Sequence, residues 1–353
     1  MLSMSFTDFL YLCHNSLYNK QMIKAMNIDY TPKRMEDSSG EVLSQLSKEA
    51  DGVSHEAFKR KAREHQVLFR ERELGVGFCK YPNVLAMSDA RKGLVFFEGF
   101  RKEILDKLKE PIPSTSSAPS GQMLTNLLRS EHIPYNVFFP MNKDPEGCRD
   151  LFNAILETNV IWKIQDIKIE YHPEPIRDYL DDHTAFDVYI SYLDIKGQPC
   201  GIGIEVKYTE KEYPLKPNSR EYNNVKDADG CTRLSEPYAK ATKESGYYRS
   251  DVKPDILVSN MFRQIWRNHI LGASMVLHGD IAHFTSVTLF PRENAHFSVH
   301  AMPAYKKLLT DNAQQTFIPI CYDIFFNLME QYLHVEKKDE WIAYLRRRYL
   351  IYE

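Results

Sequence analysis

The chain has 353 residues, of which 43% are hydrophobic and 26% charged, and a formal net charge of −3. These values exclude a wholly disordered chain and a generally basic nucleic-acid coating protein. No run approaches about 18 consecutive apolar residues, and the start Met1-Leu2-Ser3-Met4 lacks the basic segment of a secretory signal, so the sequence reads as soluble and cytoplasmic, with no membrane partner.

In chain order, residues 1–50 predict one or two short helices carried by Phe6, Phe9, Leu10, Leu12 and Cys13. A stronger helix is predicted from Ser54, as its cap, to Leu74, with Gly75 and Gly77 as stop signals. Lys59, Arg60, Lys61 and Arg63 give this helix either a solvated charged face or an arm for phosphate contact. A third helix is predicted from Ser88 to Lys109, where Phe96, Phe97, Phe100, Ile104 and Leu108 are spaced as a buried stripe. The Pro/Ser-rich run at 111–121 then closes a helical N-terminal region, 1–120.

Beyond that run the pattern predicts helices at 121–132 and 147–158, a strand Val160–Tyr171, and a hairpin of Ala185–Ile195 with Cys200–Tyr208. A polar stretch, 209–253, leads to a helix Asp255–Met275 and a strand Ser286–Phe290. Helices at 303–311, 319–333 and 339–350 follow, the last ending in Arg346-Arg347-Arg348, a basic end suited to docking. The fold class is therefore α/β, a central mixed β-sheet flanked by helices. Six dispersed cysteines without a C-x-x-C pair, and His278, His283, His296 and His300 without ligand-spaced partners, give no reason to expect zinc.

The hairpin carries charges that a strand interior normally avoids. Glu205 and Lys207 are two residues apart and share a face, while Ile204 and Val206 take the other. Asp187 joins them if it opposes Glu205 or Lys207, and either register leaves a three-residue turn in which Gly197 provides the left-handed position. Buried carboxylates beside an ammonium are costly unless paired or bound to a cation. Other acidic-x-Lys triplets occur, at Asp166, Asp194, Asp251 and Glu336, but only Glu205 has both apolar strand context and an upstream hairpin partner.

Asp187 followed by Glu205-Val206-Lys207 resembles the signature of the PD-(D/E)xK nuclease superfamily, the restriction-endonuclease-like fold, in a bacterial restriction-endonuclease-like subgroup; Phe186 stands where that family has Pro. The resemblance implies a core of αβββαβ order over 121–300, with 301–353 as C-terminal helices packed on it. It implies a metal-dependent DNA endonuclease, in restriction or phage defence, acting as a homodimer or with a defence-system partner; the alternative is a non-cleaving nucleic-acid-binding or partner-docking protein that keeps the fold. Mg²⁺, with Mn²⁺ able to substitute, would be held by Asp187, Glu205 and the Val206 backbone carbonyl. Lys207 would orient or deprotonate the attacking water. Glu131, ending the helix ahead of the sheet, is implied as a supporting acidic residue. On the later helix Phe262, Ile265, Trp266 and Ile270 form a core stripe and leave Gln264, Arg267 and Asn268 on another face, where Gln264 or Arg267 either reaches a phosphate beside the metal or joins a helix-surface network. Lys59, Arg60, Lys61, Arg63, Arg263 and Arg267 supply local positive charge for DNA.

Overall fold

The computed structural model describes residues 41–110 and 120–351, so the helices expected around Phe6–Cys13 and the linker at 111–119 lie outside the described residues. From Gln45 onward the chain forms one compact unit. Helix α1, Glu41–Phe69, runs through Ser54 and continues as a π-helical turn, Arg70–Leu74. It stops where predicted, at Gly75 with φ +62°, a conformation glycine adopts without Cβ strain. Phe58, Ala62 and Phe69 form its buried stripe and leave Arg60, Lys61 and Arg63 in solvent.

The continuous helix expected over Ser88–Lys109 is instead α2, Met87–Ala90, and α3, Arg101–Lys107. Gly93 interrupts it at φ +71°, and a Cβ there would meet Leu105 at 2.8 Å. The helix expected at 121–132 is a series of turns. Its backbone groups pair outward: Leu85 N donates to Thr125 O and Leu127 N to Asn83 O. A helix cannot form while those groups are engaged elsewhere. Helix α4 follows at Ile133–Val137, then α5 at Pro145–Ile155, capped by Asp144, which accepts from Gly147 N at 2.9 Å.

Three antiparallel strands come next, β1 Ile161–Tyr171, β2 Phe186–Asp194 and β3 Pro199–Val206. Short helices α6 Arg220–Val225, α7 Glu236–Glu244 and α8 Pro254–Leu257 precede α9, Arg263–His278. Strand β4, His283–Phe290, joins β3 in parallel. After a π-helical turn, His296–Ala301, and α10, Met302–Lys306, the segment Phe317–Cys321 forms β5, parallel to β4. Helix was expected from 319. The Phe317-Ile318-Pro319-Ile320-Cys321 stretch takes an edge position, where proline's missing donor is tolerated, and α11 starts at Tyr322 and ends at Tyr332. Helix α12, Lys338–Tyr349, is the last. The sheet order is β1-β2-β3-β4-β5, a mixed sheet with helices on both faces.

One face of the sheet, through Val188, Ile190, Ile202, Ile204, Val287 and Leu289, packs into a core shared with α1, α5, α11 and α12. Phe58 and Phe96 belong to that core, so packing does not divide at 120. The other face packs against α9, whose predicted stripe Phe262, Ile265, Trp266 and Ile270 is buried. Arg348, expected at a basic surface end, is wholly buried and donates to Val95 O and Tyr344 Oη. Arg346 pairs with Glu330 at 2.8 Å and Arg347 with Glu73 at 3.2 Å. Among the described residues no helix is long and apolar enough to cross a membrane.

Candidate active site

The hairpin register sets the site. Val188 pairs with Ile204 and Leu193 with Pro199, so one step further Asp187 stands opposite Glu205, the first of the two expected registers. The turn is Ile195-Lys196-Gly197, with Gly197 at φ +76°. Asp194 closes it, its Oδ1 accepting from Lys196 N and Gln198 N, both at 2.8 Å. Where the two strands part, the Asp187 carboxylate takes over from the ladder and accepts from Val206 N at 2.6 Å.

The same bookkeeping across β1 and β2, with Ile169 opposite Val188 and Tyr171 opposite Phe186, places Glu170 across from Asp187. On the other side Glu205 pairs with Thr288 of β4. Three carboxylates, Glu170, Asp187 and Glu205, therefore occupy one row over three neighbouring strands. Glu170 has φ +56°, a left-handed backbone that a glutamate adopts only at a cost of about 1–3 kcal/mol and that clusters at functional sites.

Helix α9 supplies the lid of this row. Lys207 donates to Glu205 Oε1 and, at 2.6 Å, to Gln264 Oε1. Asn268, one turn on, donates to Glu205 Oε2. Gln264 and Asn268 are four residues apart and so lie on one side of the helix. Gly203 makes room for a ring of the paired strand: a Cβ there would lie 2.5 Å from the Phe186 ring. The Lys207 backbone is tied at both ends, its N–H to Leu289 O at 2.8 Å and its carbonyl by the Tyr322 hydroxyl.

The electrostatics are unbalanced. Burial, with Glu205 and Glu170 nearby, pushes the Asp187 carboxyl well above the usual range. Burial, followed by Glu205 and Glu131, pushes Glu170 up to about 7. Burial alone would lower Lys207, but Glu205, Tyr213 and Asp187 outweigh it and keep the group protonated. Among the described residues no three His, Cys, Asp or Glu side chains are gathered closely enough to hold a metal ion. In this arrangement the Glu205 oxygens are engaged by Lys207 and Asn268, and Asp187 by Val206 N. The donor set nonetheless fits a hard divalent cation: the donors are oxygens, and the burial and like charge that raise the Asp187 and Glu170 carboxyls are costs that a bound cation would lower.

The other expected residues divide. Glu131 lies on no helix; it accepts from Ser120 and Arg129 and reaches the row only through its field at Glu170. Gln264 is in the cluster. Arg267 points elsewhere, donating to Tyr238 Oη at 2.9 Å and Thr184 Oγ1 at 2.6 Å and pairing with Asp182 at 3.0 Å. Arg263, expected to face DNA, is 2% exposed and held by Glu221 at 2.6 Å and the Tyr213 carbonyl. The expectation that these two arginines face nucleic acid is corrected by burial: distant acceptors consume their donors. Glu170 was missed because nothing in the sequence marks the β1–β2 register. Asn268 was legible only as a polar neighbour on the helix.

Lys59 and Arg63 of α1 line a groove of about 680 Å³ together with Arg129, Tyr81 and Tyr213. Tyr213 connects it to the site, since Lys207 Nζ lies 5.4 Å from the centre of its ring. Arg60 and Lys61 are exposed on the same helix but do not line the groove.

A five-stranded mixed sheet with acidic residues and a lysine at the end of its central hairpin, covered by the following helix, defines a nuclease class of α/β protein. The family model of the PD-(D/E)XK nuclease superfamily matches residues 53–351, and the chain belongs to that superfamily. The match begins inside α1 and ends after α12, so it takes in more than the 121–300 core expected from the motif. No curated protein and no solved structure matches the chain.

Proposed function

We propose that this protein is a divalent-metal-dependent nuclease that hydrolyses internal phosphodiester bonds of DNA, with Mg²⁺ as its ordinary ion. The observation that carries the reading is the row of Glu170, Asp187 and Glu205 with Lys207 protonated beside it, an excess of carboxylate that pairing within the protein leaves uncompensated. A divalent cation held by Asp187, Glu205 and the Val206 carbonyl would lower the pKa of a water and neutralise the phosphate.

The protein's own residues supply the rest. Lys207, kept as an ammonium, donates positive charge and hydrogen bonds to a phosphoryl oxygen as charge builds there, a role that fits its protonation better than removing a proton from water. Gln264 and Asn268 hold Lys207 and Glu205 in place, so little reorganisation is needed when substrate arrives. Lys59 and Arg63 lie where phosphates flanking the scissile bond would pass.

The test is supercoiled plasmid incubated with Mg²⁺, Mn²⁺ or EDTA. Cutting is expected with either ion and not with EDTA, and Asp187→Ala or Lys207→Ala should lower the rate by about 10²–10³-fold. Metal-dependent cutting equally present in both variants would remove the site assignment.

A further inference from the structure

Two of the rings that line this groove stand in solvent, Tyr81 at 56% and Tyr213 at 38%, as does Phe78, three residues before Tyr81, at 56%. Each has a cation against it. Arg70 lies 5.1 Å from the Phe78 ring centre, Lys80 5.3 Å from that of Tyr81, and Lys207 5.4 Å from that of Tyr213. A ring serving only as core would be buried, whereas exposed rings interleaved with basic residues are the composition of a stacking platform for bases.

Tyr81 and Tyr213 are also held in place. Tyr81 sits in a closed turn in which Cys79 N donates to Val84 O at 2.8 Å and Val84 N to Tyr81 O at 2.9 Å. The Tyr213 carbonyl accepts from Arg263, itself buried and paired with Glu221. A ring whose backbone is fixed before a ligand arrives loses little entropy on stacking.

Charge and size decide between strand and duplex. The groove presents Lys59, Arg63, Arg129 and Lys211 against Glu56, Glu210 and Glu212, an excess of a single positive charge. Duplex binding draws its affinity from neutralising many phosphates, which this lining does not offer; stacking on aromatic faces does not need it. A volume of about 680 Å³ is that of a small-molecule cleft, which admits a threaded strand and not the body of a double helix.

We propose that this groove is a track for an unpaired nucleic-acid strand, bases stacking on Tyr81 and Tyr213 and phosphates resting on Lys59 and Arg63, which delivers the strand to Lys207. The inference rests on the nuclease reading for the site at its end, and it makes an overhang, flap or loop the preferred substrate.

Binding and cutting are measured separately. Full-length Asp187→Asn protein is titrated, by fluorescence anisotropy at fixed salt, into labelled single-stranded DNA, single-stranded RNA and a blunt DNA duplex. At least one single strand should bind tenfold or more tightly than the duplex, and the DNA and RNA arms identify the sugar preferred. In the same background Tyr81→Ala and Tyr213→Ala should each weaken single-strand binding about tenfold, with Tyr81→Phe and Tyr213→Phe restoring it. Lys59→Ala with Arg63→Ala should weaken it too and flatten its salt dependence. Duplex binding as tight as single-strand binding, no strand binding at all, or alanine variants at wild-type affinity would each overturn the assignment. Strand binding that follows the expected pattern, with wild type cutting no substrate in any metal, would sink the nuclease reading and leave the track standing.

Discussion

Two buried charged clusters reach helix α9, and they are built in opposite ways. In the first, Asp182 accepts from Tyr238 Oη at 2.5 Å, from Thr184 and from Arg267, and Arg267 has Glu221 as a further partner at 3.3 Å. Burial opposes ionisation of Asp182, yet Arg267 and the hydrogen bonds from Thr184 and Tyr238 hold its carboxyl below the ordinary range. In the second, burial and like charge push Asp187 and Glu170 up. The first cluster is complete without a ligand and serves to fix the loop before β2 against α9. The second crowds three carboxyls around one ammonium, so that ionising all of them is opposed by burial and by like charge, whereas the first is balanced by its own partners.

The largest effect should come from breaking the complete cluster. Arg267→Met leaves Asp182 buried without its ion-pair partner and should cost roughly 3–5 kcal/mol of stability, read from urea denaturation; a loss under about 1 kcal/mol would mean that the two clusters differ less than their geometry indicates. The pH dependence separates them next. Glu170 has a raised folded-state pKa of about 7 against its ordinary 4.5, so its contribution is fully present below about 4.5 and is lost as pH rises through 7. In EDTA, wild type relative to Glu170→Gln should therefore gain up to about 3 kcal/mol on going from pH 8 to pH 4.5. His269, pushed down to about 3 by burial, tilts both proteins the other way and cancels in the difference. A difference that does not change with pH would separate Glu170 from the row.

The smallest effect has the opposite sign to the first. Replacing one of the crowded carboxylates, Asp187→Asn, should raise metal-free stability by about 1 kcal/mol, seen as a higher Tm. Mg²⁺ or Mn²⁺ should raise the Tm of wild type, and the same variant should lose that increase. A variant less stable than wild type in EDTA would place Asp187 with the complete networks.

The sequence carried the central hairpin because period-two alternation, three misplaced charges and Gly197 all constrain the same few residues. It also carried the stripe of α9, which is set by local periodicity. Glu170 was not legible: residues 172–185 connect β1 to β2 without a tight-turn signal, so no local rule fixes which residue of β1 faces Asp187. Arg263, Arg267 and Arg348 read as surface charge because their partners, Tyr213 O, Asp182 and Val95 O, come from distant segments. The turns at 121–132 were hidden for the same reason, their hydrogen bonds being made with residues 83–85.

The ties around Lys207 bear on how this enzyme can be divided. Tyr322 holds the Lys207 carbonyl, and Gln66 donates from α1 to both Tyr208 Oη and Arg348 O, at 2.8 and 2.6 Å. Asn294 donates to the Tyr208 carbonyl at 3.0 Å. The strand end that bears the lysine is thus clamped by segments from both ends of the matched region. Residues 121–300 are consequently not a portable cassette: grafted or expressed alone they would keep Asp187, Glu205 and Lys207 but lose Tyr322 and Gln66, two of the braces around Lys207.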